Sequence, residues 1–176
     1  VSMNGNWLRV SPDDLERARA DLPWAHEVAM AARDDDSDRW TTTDNAWHGL
    51  DFLLDRLGFE IPLVLGAEEF VESPDVEPDS EEMFDFLDNL DDDWGYGPPS
   101  YLTPDQVAAA ASALATLTED DLVRGVDPQE LTRAEVYPSI WERPGTLEWA
   151  AHFLPDARSF FAAAAKDGDA VICWLD

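Results

Sequence analysis

The sequence predicts an α+β fold: a mostly helical single domain with a small sheet that includes the N- and C-terminal strands. Three observations predict it. The alternating stretch Asn6-Trp7-Leu8-Arg9-Val10 and the continuous apolar run Ala170-Val171-Ile172-Cys173-Trp174-Leu175 read as strands at the two ends. Between them, apolar residues recur at helical spacing behind start signals such as Ser11-Pro12, Thr103-Pro104 and Asp127-Pro128. Finally, 176 residues at 45% hydrophobic composition suffice for one sizeable core and give little room for two.

Taken in order, the first strand runs into a helix capped by Ser11, with Pro12 at its first position and Leu15, Ala18 and Leu22 facing inward. Pro23 is expected to break that helix before a second one over 24–32. The stretch 43–58 reads as the central helix, with Thr43 as cap, Asp44 in the first turn and Gly58 at the left-handed position past its end. Its stripe is Ala46, Trp47, Leu50, Leu53, Leu54 and Leu57. The run 59–66 reads as an edge strand marked by Pro62.

From Glu68 to Asp93 the chain carries thirteen acids, and between Arg56 and Arg124 it has no basic residue. This is an acidic excursion with one short helix near 80–90, whose Met83, Phe84, Phe86, Leu87 and Leu90 are expected to dock onto the body. Trp94-Gly95-Tyr96-Gly97-Pro98-Pro99 follows as a rigid aromatic loop. Thr103 and Gln106 have capping-box spacing, and Val107, Ala110, Ala111, Leu114 and Leu117 form a stripe of small residues suited to a close helix crossing. Short helices start at Thr118 and Asp127. The doubly proline-marked 135–145 reads as a loop crossing the core, and Pro155 kinks or restarts the helical segment that ends at Gly168. The terminal strand is apolar throughout, which implies burial on both faces.

A net charge of −28, from 39 acids against 11 basic residues, leaves no clustered cations for phosphate backbones or anionic lipid. No nucleic acid and no membrane are expected as partners. Solvation is the simplest reading of the acidity; a surface for a basic protein partner and mimicry of nucleic-acid charge are the functional ones. The single cysteine, Cys173, lies in the apolar terminal run and reads as a buried structural thiol. With no long apolar span and no secretory leader pattern, a cytoplasmic location is expected.

Metal chemistry finds little support. Asp34, Asp36 and Asp38 match the first ligand positions of a calcium loop, but Arg39 stands where the loop needs Gly and Asn45 where it needs Glu. Asp91-Asp92-Asp93 reads as a solvated turn. There is no phosphate loop, zinc-spaced set or nucleophile elbow, so no cofactor and no metal is expected.

Four segments together resemble the YfbM-like family of bacterial proteins, a domain of unknown function. They are the N-terminal Met3-Asn4-Gly5-Asn6-Trp7-Leu8-Arg9-Val10-Ser11-Pro12, then Ala46-Trp47-His48-Gly49-Leu50-Asp51-Phe52-Leu53-Leu54. Gly95-Tyr96-Gly97-Pro98-Pro99-Ser100-Tyr101-Leu102-Thr103-Pro104 and the end, from Ile140-Trp141-Glu142 to Asp167-Gly168-Asp169-Ala170-Val171, complete the set. The resemblance implies a single α+β domain and no known reaction. The acidic stretch looks longer than usual for the family.

Two functional readings follow from the residues. In the first, a non-enzymatic interaction module meets a basic partner through Phe84, Phe86, Asp91, Asp92, Asp93 and Trp94, because aromatics anchor while charge steers. In the second, His48, Tyr96, Tyr101, Glu142 and Arg143 line a small-molecule or enzymatic pocket, with His48 as the acid/base group and Arg143 holding an anion. A structural role for His48 and Glu142 is the rival of the second. The absence of a catalytic set tips the balance toward the binding module, and a homo-oligomeric contact is an equal use for exposed aromatics.

Overall fold

The computed structural model describes residues 1–90 and 93–176. Five strands form one antiparallel sheet in the order β2-β1-β5-β4-β3, comprising β1 (Gly5–Val10), β2 (Trp40–Asp44), β3 (Glu68–Glu69), β4 (Ser100–Leu102) and β5 (Ala170–Leu175). The two terminal strands are neighbours, as expected, with Trp7 opposite Cys173 and Leu8 opposite Ile172. Strand alternation then divides the core. Trp7, Leu102, Val171 and Cys173 point to one face, and Leu8, Val10, Tyr101, Ile172 and Trp174 to the other.

Helices cover both faces, so β1 is buried throughout and β5 at all but its last residue. One face takes α1 (Pro12–Ala20) and α2 (Leu22–Asp34) through Leu15, Ala18, Ala25 and Ala29. The larger core on the other face is built from α3 (Trp47–Arg56), α5 (Pro104–Leu114), α6 (Glu119–Val123), α7 (Pro128–Arg133), α8 (Thr146–Ala151) and α9 (Leu154–Asp167). Ala110 of α5 and Ala157 and Ala164 of α9 are fully buried, and the two helices pack closely where their side chains are small. The remaining helix, α4 (Glu81–Asp88), buries no residue.

The start signals at Ser11, Thr103, Thr118 and Asp127 all cap as read; Thr103 and Gln106 complete a reciprocal box. Four expectations need correction. The first break falls at Asp21, whose side chain accepts the Trp24 amide at 3.1 Å, so Pro23 opens α2 instead of ending α1. Thr43 and Asp44 do not start the central helix. The β-branched run Thr41-Thr42-Thr43 pairs with β1 as a strand, and the Thr42 hydroxyl donates to the Gly5 carbonyl at 2.9 Å. Hence α3 begins later, at Trp47, without a side-chain cap. Its end matches the reading: Gly58 has φ of +78°, and Phe59 and Gly58 donate to the Leu54 and Asp55 carbonyls at 3.1 and 2.9 Å.

Third, 59–66 forms a turn instead of an edge strand. It buries Leu63 and Val64, and the Leu63 carbonyl accepts the Trp7 indole N–H at 2.7 Å, so a core side chain takes the place of a ladder partner. Fourth, the apolar side of α4 does not dock as a whole. Phe84 is 55% exposed and Leu87 51%, while Met83, Phe86 and Leu90 are half-buried.

Candidate functional site

A concave feature lies on the loop between α7 and α8. It begins with Glu135, a non-glycine residue held at φ of +53° just past α7, and its Tyr137–Pro138 peptide is cis. Buried contacts then fix its course. The Trp141 indole donates to the Val136 carbonyl at 2.7 Å, and the ring lies where only glycine fits on the facing helix: a Cβ on Gly49 would collide with it. The Thr146 hydroxyl, at the start of α8, donates to the Arg143 carbonyl at 3.0 Å. What remains outside is a cavity of about 450 Å³ whose lining includes Glu135, Ser139, Ile140, Trp141, Glu142 and Arg143. A second hollow of about 590 Å³, against the start of α7, shares Trp141, Glu142 and Arg143 in its lining.

His48 serves this loop from behind. Its Nδ1 accepts the Tyr137 amide N–H at 2.9 Å, and its ring stacks on Trp47 with centroids 4.8 Å apart. An acceptor at Nδ1 requires the neutral ring, and burial lowers the His48 pKa in the same direction. So His48 holds a loop amide, where the structural alternative expected it to cap a carbonyl. One turn along α3, Asp51 is partly buried, and its carboxyl is pushed upward by desolvation and then by Asp55.

The five pocket residues do not share one enclosure. Glu142 and Arg143 line the cleft together, and His48 touches its loop. Tyr101 lies on the opposite face of the sheet, with its ring 4.7 Å from Phe70 and the Arg19 guanidinium above it. Tyr96 is half exposed near the end of β5, its amide bonded to the Leu175 carbonyl at 2.9 Å. The cleft adds Glu135 and Ser139, which the sequence did not single out. The only hint was the irregular, doubly proline-marked loop itself.

The residues of the expected interaction surface also separate. Trp94 is not a surface anchor. It is 2% exposed, set edge-on to Trp174 and His26 at 5.4 and 5.2 Å. Gly95, at φ of +99°, lets the loop come so close to β5 that a Cβ there would lie 2.7 Å from the Leu175 carbonyl oxygen. That close approach tucks Trp94 beneath the loop. Asp91 and Asp92 lie outside the described residues, and Asp93 is exposed. Phe84 and Leu87 remain adjacent on the outer side of α4, beside Glu81 and Asp88, while Glu82, Asp85, Phe86 and Leu90 line a hollow with Val71 and Pro74.

A further charged cluster ties the sheet end together. Buried Arg9 meets Asp167 at 3.2 Å and Asp169 at 3.8 Å, and Arg39 meets Asp169 at 3.3 Å. Among the described residues the buried Arg9 Nε finds no hydrogen-bond partner, and the residue's other contacts join β1 to the end of α9 and to the approach to β2. Among the described residues no group of three or more His, Cys, Asp or Glu side chains is placed to hold a metal ion, and no helix is long and apolar enough to cross a membrane. Cys173 is fully buried beside the Leu63 carbonyl, and burial pushes its thiol far above the ordinary range.

Residues 1–174 match the model of a family described as a domain of unknown function, DUF1877. No curated protein matches the chain. Among solved structures, the chain is similar to the crystal structure of YfbM from Escherichia coli, a protein of unknown function. The two share 15% identity at a TM-score of 0.60, over 98% of this chain and 99% of that one. At that identity the likeness shows the fold.

Proposed function

We propose that this chain, which belongs to the DUF1877 family, is a non-enzymatic interaction module that docks a basic protein through the outer face of α4. The observation that carries the reading is the pair Phe84 and Leu87, more than half exposed on a helix that buries no residue. Residues three apart on a helix are neighbours, so the two form one apolar spot. Glu81 and Asp88 stand beside it and Glu82 and Asp85 line the hollow on the Phe86 and Leu90 side, in a stretch of chain that has no basic residue from 57 to 123. Apolar anchors inside a field of one sign suit a partner of the other sign. The anchors supply most of the affinity when desolvated, and the field raises the association rate and excludes acidic competitors.

The experiment is affinity capture from lysate of the source cell at low and moderate salt, with wild type beside Phe84→Ser/Leu87→Ser. The expected result is a basic protein held by the wild type, weakened at moderate salt and lost by the double variant at both. A partner retained equally by the double variant, or capture of proteins without basic character, would overturn the reading.

A further inference from the structure

We propose that the cleft of the 135–143 loop binds a small zwitterion of the amino-acid class: a free amino acid or dipeptide with an apolar side chain. This inference stands apart from the α4 reading and uses none of its residues. It begins with how the molecule treats its few cations. Among the described residues, Arg9, Arg19, Arg33, Arg39, Arg56 and Arg124 hold ion pairs. Arg158 donates to the Leu114 carbonyl, and Arg17 lies over the Trp24 ring. Arg133, Arg143 and Lys166 do none of these, and of the three only Arg143 lines the cavity, together with Glu135 and its sequence neighbour Glu142. In a chain of net charge −28, a guanidinium left without an ion pair in a cavity that two acidic residues also line is not explained by scarcity of acids.

Geometry accounts for the separation. The loop is fixed at the Tyr137 amide by His48, at Trp141 by its own indole bond and at the Arg143 carbonyl by Thr146. These anchors fix the backbone from which the charged side chains project before any ligand arrives, which lowers the ordering cost of binding. Opposite charges held apart around one cavity complement a ligand carrying both. A ligand carboxylate meets the Arg143 fork in the two-pronged geometry that guanidinium favours, and an ammonium is received by Glu135 and Glu142. Ile140 gives the apolar wall, backed by the buried Val136 and Trp141, with Ser139 as an added hydrogen-bonding group. The cavity, at about 450 Å³, is within the usual range for small-ligand sites.

The test is isothermal titration calorimetry of the full chain with L-leucine and L-leucyl-L-leucine, which separate a free amino acid from a dipeptide. N-acetyl-L-leucine and L-leucinamide each lack one of the two charges. The expected result is saturable binding of at least one zwitterion, with both half-charged analogues weaker by about tenfold or more. Arg143→Met and, separately, Glu135→Gln/Glu142→Gln should each lose a similar factor, and Lys166→Met, an exposed cation on α9, should lose none. These are exposed side chains, so folding is checked by circular dichroism and is expected to be unchanged. No heat from either zwitterion at millimolar concentration, equal binding of the analogues, or undiminished binding by Arg143→Met would overturn the proposal.

Discussion

The loop over 135–145 and the acidic stretch over 68–90 are both irregular in sequence and rich in aromatic or apolar side chains, yet the fold uses them in opposite ways. In the first, Val136 and Trp141 are buried to within 2% of full burial, and side chains from α3 and α8 grip the backbone. In the second, α4 buries nothing and presents Phe84 and Leu87 to solvent. The lesson is that aromatic content alone does not mark an interface. What separates the two is whether a facing element offers room, as Gly49 does for Trp141. Where it does, the apolar group stabilises the fold; where it does not, the group stays exposed.

Breaking the first region should show the largest effects. Trp141→Ala removes a ring buried against α3 and leaves a cavity, with an expected cost of about 3–5 kcal/mol. Urea unfolding would show it as a lower midpoint at unchanged slope. Gly49→Ala attacks the same contact from the other side, and forcing the ring to shift should cost about 1–3 kcal/mol by the same measurement. His48→Ala leaves the half-buried Tyr137 amide without its acceptor, with an expected cost of about 1–3 kcal/mol.

The same helix allows a test of sign through pH. Burial lowers the His48 pKa from its ordinary 6.5, so the unfolded chain takes up the proton first. Its contribution is complete above 6.5 and declines as the pH falls below that value. A His48→Gln variant should lack this decline between the ordinary and the lowered pKa. Asp51 works in reverse: burial raises its pKa, so the folded chain binds the proton more tightly and the ionised carboxylate weighs against folding at neutral pH. Asp51→Asn should therefore raise stability near pH 7 and lose that advantage in acid, below the ordinary 3.8.

How far the sequence reached follows the same division. The terminal strands, the caps at Ser11, Thr103, Thr118 and Asp127, and the Gly58 stop were legible because each is a local interaction written within a few residues. The β2 strand was not, because Thr41-Thr42-Thr43 becomes a strand through pairing with β1, more than thirty residues away in sequence. Leu63 likewise turns where an indole from β1 claims its carbonyl. At the candidate sites, Glu142 and Arg143 were found from charge and context, but their separation from Tyr96 and Tyr101 depends on which sheet face each strand residue occupies. Trp94 was misplaced for a related reason: its loop reads as exposed until Gly95 brings it against β5.

The smallest expected effect is also the most direct test of the contrast between the two regions. Urea unfolding of Phe84→Ser/Leu87→Ser should give a stability within about 0.5 kcal/mol of wild type, since these side chains are expected to contribute little to the folded core. A loss of about 2 kcal/mol or more would contradict the account, because it would mean that the outer face of α4 serves the fold and is not held in reserve for a partner.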